Sequence, residues 1–103
     1  MAIAVLPFAD MSSTKDQDYL CEGMAEEIMT ALVHIEGIRV ASRTSTFKAS
    51  RDSGDLKTIA SALSVDHILE GSVRTMGNRL RVTARFTDVA SDTQLWSEKY
   101  DPK

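Results

Sequence analysis

The chain has 103 residues, 43% of them hydrophobic and 26% charged, and a formal net charge of −3. That length supports one domain around one hydrophobic core, and the composition is that of a soluble globular protein rather than a disordered or disulfide-stapled one. The mild acidity argues against a nucleic-acid surface, the lone cysteine, Cys21, excludes an intramolecular disulfide and a multi-thiolate metal site, and no run approaches the roughly 18 apolar residues of a membrane span.

Residues 2–8 (AIAVLPF) form a continuous apolar run, the mark of a strand covered on both faces. Over residues 16–34, Leu20, Met24, Ile28 and Leu32, continued by Ile35, recur at helical spacing and predict an amphipathic helix. Asp16 and Asp18 suit its positive N-terminal end, and Glu22, Glu26, Glu27 and Thr30 fall on its wet face. Gly37 supplies a stop, and residues 38–42 (IRVAS) read as a second strand. The Ser/Thr-rich basic segment 43–52 has room for a turn of helix anchored by Phe47. Asp55 is placed as the N-cap of a second helix, in which Leu56, Ile59, Ala60 and Leu63 form the apolar stripe and which ends near Ser64.

Residues 67–75 (HILEGSVRT) and 79–88 read as strands joined by a tight turn at Gly77-Asn78. In the second of them Leu80, Val82, Ala84 and Phe86 alternate with Arg81, Thr83 and Arg85, so one face is buried. A turn around Ser91 and Asp92 leads to a last strand over 94–100. The order β-α-β-α-β-β-β, with right-handed crossovers leaving the first strand in opposite directions, puts helices on both faces of the sheet. The expected fold is therefore three-layer α/β: a mixed five-stranded sheet of order 2-1-3-4-5 with its fourth strand antiparallel.

The segments IAVLPFADMSS, YLCEGMAEEIMTAL, ILEGSVR and QLWSEKYD, in this order and spacing, resemble the TolB amino-terminal-like domain of bacterial signalling proteins over nearly the whole chain. The resemblance implies a single accessory domain cut from a longer protein. In such proteins it sits beside an adenylate cyclase, kinase or winged-helix domain and is followed by tetratricopeptide repeats. It implies no catalytic residues and no cofactor, and partners that are neighbouring domains of the same chain. The family often has Gly after its second helix where this sequence has Ser64, which puts the geometry of that helix end in question.

Among candidate site residues, His34 and His67 lie in different elements with no ligand-spaced Cys or carboxylate beside them, and Cys21 pads the helix edge, so neither a metal nor a nucleophile is expected. Gly71 reads as a point of close strand packing. A two-residue turn pairs Arg74 with Arg81 and Glu70 with Arg85 on one sheet face, with Glu98 available to stand between the arginines if the next turn keeps register. Trp96 and Tyr100 share a face of the last strand, as core or as an aromatic patch for a partner.

A second candidate is an anion or nucleotide site. It would use Arg43, Thr44 and Ser45 at a helix start, or the strand-end crevice near Pro7, Phe8 and Asp10. The leading expectation is a non-catalytic interaction module that contacts helical repeats and a signalling domain, without nucleic-acid binding or membrane insertion; the sequence leaves its compartment open and favours the cytoplasm over the periplasm. The alternative is a small-molecule sensor. The last strand is a potential open edge through which two copies could pair.

Overall fold

Alternation, turn chemistry and one proline decide where each strand of this protein begins and stops. The computed structural model describes residues 1–12, 16–76 and 79–100, with the side chains of Met76 and of residues 96–100 outside that description. The Gly77-Asn78 turn thus lies outside the described residues. The strands are β1 (Ala2–Val5), β2 (Ala9–Asp10), β3 (Arg39–Val40), β4 (His67–Met76), β5 (Arg79–Asp88) and β6 (Thr93–Tyr100). The helices are α1 (Asp18–Val33), α2 (Arg43–Asp52) and α3 (Leu56–Leu63).

The sheet runs β3-β1-β4-β5-β6, with β3, β1 and β4 parallel, β5 antiparallel to β4, and β6 antiparallel to β5. This is the expected order and the expected sense of each strand, with one element added. The apolar run 2–8 is interrupted at Pro7, whose missing N–H cannot serve the ladder. Val5 pairs with Leu69 and Ala9 with Ser72, so one extra residue is accommodated between β1 and β2 while both stay beside β4. The Phe8 amide leaves the sheet and donates to the Cys21 carbonyl of α1.

The crossover helices occupy opposite faces. On one side Ala4, Leu6, Ile68 and Val89 pack with Ile59 and Ala60 of α3. On the other, Ile3, Val5, Phe8, Val73 and Val82 pack with Cys21, Ala25 and Met29 of α1. The periodic stripe of Leu20, Met24, Ile28 and Leu32 packs half-buried against the core, whereas Ile35, expected to continue it, is exposed. Cys21, Ala25 and Met29, at i, i+4 and i+8, form the buried line of α1 against the sheet, and the long residues of the stripe flank it.

The segment 43–52 is a full ten-residue helix rather than a turn. Ser42 caps it, its hydroxyl accepting the Ser45 amide at 3.3 Å, and Phe47 enters the core on the α1 side as expected. At the end of α3, Ser64 itself takes the left-handed conformation (φ 56°, ψ 45°) that glycine adopts readily. The Val65 amide then donates to the Ala60 carbonyl at 3.0 Å, a Schellman closure. Gly37, at φ +86°, turns the chain from α1 into β3.

A candidate interaction face on β4 and β5

Ten consecutive pairs join β4 to β5, and alternation along them sorts the side chains into two faces. Leu69 with Phe86, Gly71 with Ala84 and Val73 with Val82 face α1. Ile68 with Thr87, Glu70 with Arg85, Ser72 with Thr83 and Arg74 with Arg81 share the other face. Of these Ile68 packs under α3 and Thr87 lines a cleft with Asp55, Leu56 and Lys57 at its start; the remainder are half-buried or, for Arg74, exposed. Arg74, Arg81 and Arg85 therefore stand together on an open sheet face, in the expected pairing.

Arg85 Nη2 lies 3.9 Å from Glu70 Oε1, with the two side chains 39% and 26% exposed. At that separation and exposure the pair stabilises the fold by no more than about 1 kcal/mol. Opposed arginines carry a comparable penalty. The residues of this ladder are consequently poor candidates for fold stabilisers.

Glu98 does not stand opposite an arginine. A register shift between Phe86 and Thr87 pairs Phe86 with Trp96, Arg85 with Ser97 and Ala84 with Glu98. The turn expected at Ser91 and Asp92 pairs Arg85 with Glu98 only if no residue is inserted, and a slip of one residue changes the face of every position beyond it. Trp96 and Tyr100 still share a face, opposite Phe86 and Val82; whether their side chains fill the core lies outside the described residues.

The second candidate site is already engaged by the protein's own groups. Asp10 Oδ1 accepts the Ser12 amide at 3.0 Å and the Ser12 hydroxyl at 2.5 Å, while Oδ2 accepts the Gln17 amide at 2.7 Å. The carboxylate ties the loop after β2 to the start of α1. Arg43 does begin a helix, but its guanidinium lies 3.2 Å from Glu26 and 3.8 Å from Glu22 on α1, and 4.8 Å over the Phe47 ring. Thr44 and Ser45 follow in the first turn, where Ser42 takes the Ser45 amide. Two carboxylates beside a helix N-terminus repel the anion that such a terminus would otherwise attract.

The remaining reactive side chains have structural tasks. Cys21 is buried, and burial, followed by the charges of Asp10, Asp18 and Glu22, pushes its thiol up to about 11; at neutral pH it is protonated and inert. His67 stacks on Phe86, ring centroids 5.3 Å apart. Its Nδ1 lies 2.7 Å from Asp66 Oδ1, which also accepts the Ala2 amide at 3.0 Å. The pair pins the start of β1. His34 is exposed. Among the described residues no three His, Cys, Asp or Glu side chains are grouped to hold a metal, and no helix is long and apolar enough to cross a membrane.

One surface was missed by the sequence reading. Tyr19, Leu20, Gly23, Met24, Glu27 and Ile28 of α1 line a shallow groove of about 520 Å³, and Tyr19 is 93% exposed. The clue was the small pair Cys21 and Ala25, whose spacing marks the true inward face and turns the longer stripe to its flank.

Solved structures with this fold include the C-terminal domain of LpoB from Salmonella enterica (TM-score 0.73, 14% identity, 98% of this chain and 82% of that one). Lipoprotein GNA1162 from Neisseria meningitidis aligns with TM-score 0.77 at 18% identity over 99% and 79% of the two chains. TolB from Acinetobacter baumannii aligns with TM-score 0.64 at 16% identity, over 95% of this chain and 22% of its own. At such identities the likeness is one of fold alone, and it bears out the TolB-like architecture. In sequence, a Rhizobium meliloti (strain 1021) protein whose name marks it as a candidate adenylate cyclase is 39% identical over 100 residues. The match takes in 97% of this chain but only 17% of that relative's length. A family model covers residues 1–103, and the chain belongs to the family it describes, the second domain of HilA/YgeH-like transcriptional regulators.

Proposed function

We infer that this chain is a non-catalytic regulatory module of a bacterial signal-transduction protein, acting through contacts with neighbouring domains. One observation carries the reading. The same domain accompanies a transcriptional regulator in its family and a candidate adenylate cyclase in a relative of which it makes up 17%. A part common to two different outputs supplies what both need rather than the chemistry of either. Inert Cys21, the β1-pinning Asp66–His67 pair and the self-satisfied Asp10 fit that role.

The natural partners are a signalling domain on one side and helical repeats on the other, within one polypeptide. The cytoplasm is the compartment where both outputs operate, although the same fold serves a lipoprotein and does not by itself dictate location. The small-molecule alternative is the second reading, since two of its four proposed contacts, Asp10 and Arg43, already engage groups of the protein.

The test replaces residues 1–103 by a flexible linker in a full-length adenylate cyclase that carries this domain. Retained cyclase turnover with lost or altered response to its signal supports the module. Unchanged regulation, or ATP cyclisation by the isolated 103-residue chain, overturns it.

A further inference from the structure

Beyond Ile68 and Thr87, none of the described helices packs over the face that carries α3, although the sheet continues through β4 and β5. The uncovered ladder presents Glu70, Ser72 and Arg74 from β4 and Arg81, Thr83 and Arg85 from β5. We propose that this face is the docking surface for an acidic helical segment of a partner polypeptide, which completes the outer layer beside α3. The proposal rests on the interaction-module reading and names the chemistry of its partner.

Charge is the first argument. The whole chain is acidic at −3, yet this face of the ladder holds four arginines, Arg74, Arg79, Arg81 and Arg85, to one glutamate. The exposed glutamates Glu22, Glu26 and Glu27 belong to α1, on the opposite side of the sheet. The open face of the β4–β5 ladder is thus locally cationic, with the α1 glutamates on the other side of the sheet. Guanidinium groups are suited to this task because their planar forks meet carboxylates bidentately and tolerate partial burial better than an ammonium does.

Shape and spacing are the second. Between the Arg74/Arg81 row and the Glu70/Arg85 row lie Ser72 and Thr83, whose side chains are shorter than those of the rows on either side. Arg81 and Arg85 are four residues apart on one strand, roughly 13 Å. Carboxylates two turns apart on one helix face are about 11 Å apart, within the reach of flexible arginine side chains. Glu70 adds selectivity: it repels a continuous polyanion and accepts a basic residue on the partner. A nucleic-acid or lipid-phosphate surface offers no such cation.

The probe is a capped, alanine-based 20-residue helical peptide with glutamates two turns apart on one face, fluorescein-labelled and titrated with the 103-residue chain at low salt. A twin peptide has glutamine at those positions. The Glu peptide is expected to bind saturably and the Gln peptide about tenfold more weakly. Arg74→Glu and Arg85→Glu should each weaken binding about fivefold or more. Arg51→Glu, the same charge change on α2, should leave it within about twofold. Arg85→Gln guards against a folding defect, with circular dichroism confirming the fold of each variant.

Equal binding of the two peptides, indifference to the Arg74 and Arg85 changes, or tighter Arg-dependent binding of a 20-nucleotide oligo-dT overturns the proposal. Failure here with regulation still lost on domain replacement overturns the surface and spares the module. Failure of the domain-replacement test with peptide binding intact does the reverse.

Discussion

Gly71 and Gly23 should respond to the same substitution with opposite signs. A Cβ built on Gly71 meets the Thr83 carbonyl oxygen at 2.1 Å and the Phe8 ring at 2.7 and 2.9 Å. The ring can tilt. The carbonyl belongs to the β5 backbone, whose residues flanking Thr83 pair with Gly71 and Val73, so relief requires β4 and β5 to part. Overpacking of a tight core costs about 1–3 kcal/mol, and the involvement of backbone places Gly71→Ala at the upper end, near 3 kcal/mol. For a domain of this size that lowers the Tm by about 12–24 °C.

Gly23 lies within α1 with nothing within 4 Å of its Cβ position. Gly23→Ala should therefore stabilise the protein by roughly 0.5–1 kcal/mol through helix propensity. Thermal and urea denaturation followed by circular dichroism reads both. Adding Phe8→Leu to Gly71→Ala separates the two clashes: it removes the ring contact but leaves the carbonyl, so the double variant should remain well below Phe8→Leu alone. A Tm for Gly71→Ala within about 2 °C of the parent would refute the argument that the β4–β5 approach depends on the missing side chain.

Ser64→Gly should raise stability by about 1 kcal/mol, because the left-handed angles at this helix end cost a serine what they do not cost a glycine; urea midpoints decide it, and a loss of stability contradicts the assigned role. Thr46→Val should be neutral or stabilising by up to about 1 kcal/mol, since Thr46 Oγ1 is buried with no hydrogen-bond partner among the described residues; a loss above about 1 kcal/mol would show that the hydroxyl is bonded. The His67 ring and then the Ala2 amide hold the Asp66 carboxyl below its ordinary 3.8. A carboxyl lowered on folding stabilises the protein above its unfolded value, and that contribution disappears as pH falls through the folded value. Asp66→Asn should accordingly melt lower than the parent at pH 6, with the gap closing below about pH 4; a gap that persists to pH 2 contradicts the assignment.

Much of this protein was legible in the sequence because local physics decided it. Strict alternation in β5 and the position of Gly77-Asn78 fix which residues of β4 and β5 oppose each other, so the Arg74–Arg81 and Glu70–Arg85 rows follow from counting. Right-handed crossovers then leave little freedom in strand order. The resemblance supplied the kind of protein, and the likeness to TolB and the family match agree with it at the level of fold and of a regulator's domain.

What counting could not reach are the places where one residue more or less, or one contact across the chain, changes the answer. The extra residue Leu95, where the β5–β6 register shifts between Phe86 and Thr87, pairs Glu98 with Ala84 rather than with Arg85, and nothing local to Ser91 and Asp92 announces it. The inward line of α1 is set by how the helix is rotated on the sheet, so Cys21, Ala25 and Met29 are buried while the more regular stripe of Leu20 and Met24 packs at their flank. Arg43 sits in a helix N-terminus that looks fit for an anion until α1 brings Glu22 and Glu26 beside it. Periodicity and turns are properties of neighbours in sequence; register slips, packing distance and the neutralisation of a charge are properties of neighbours in space, and only the tertiary structure assigns those.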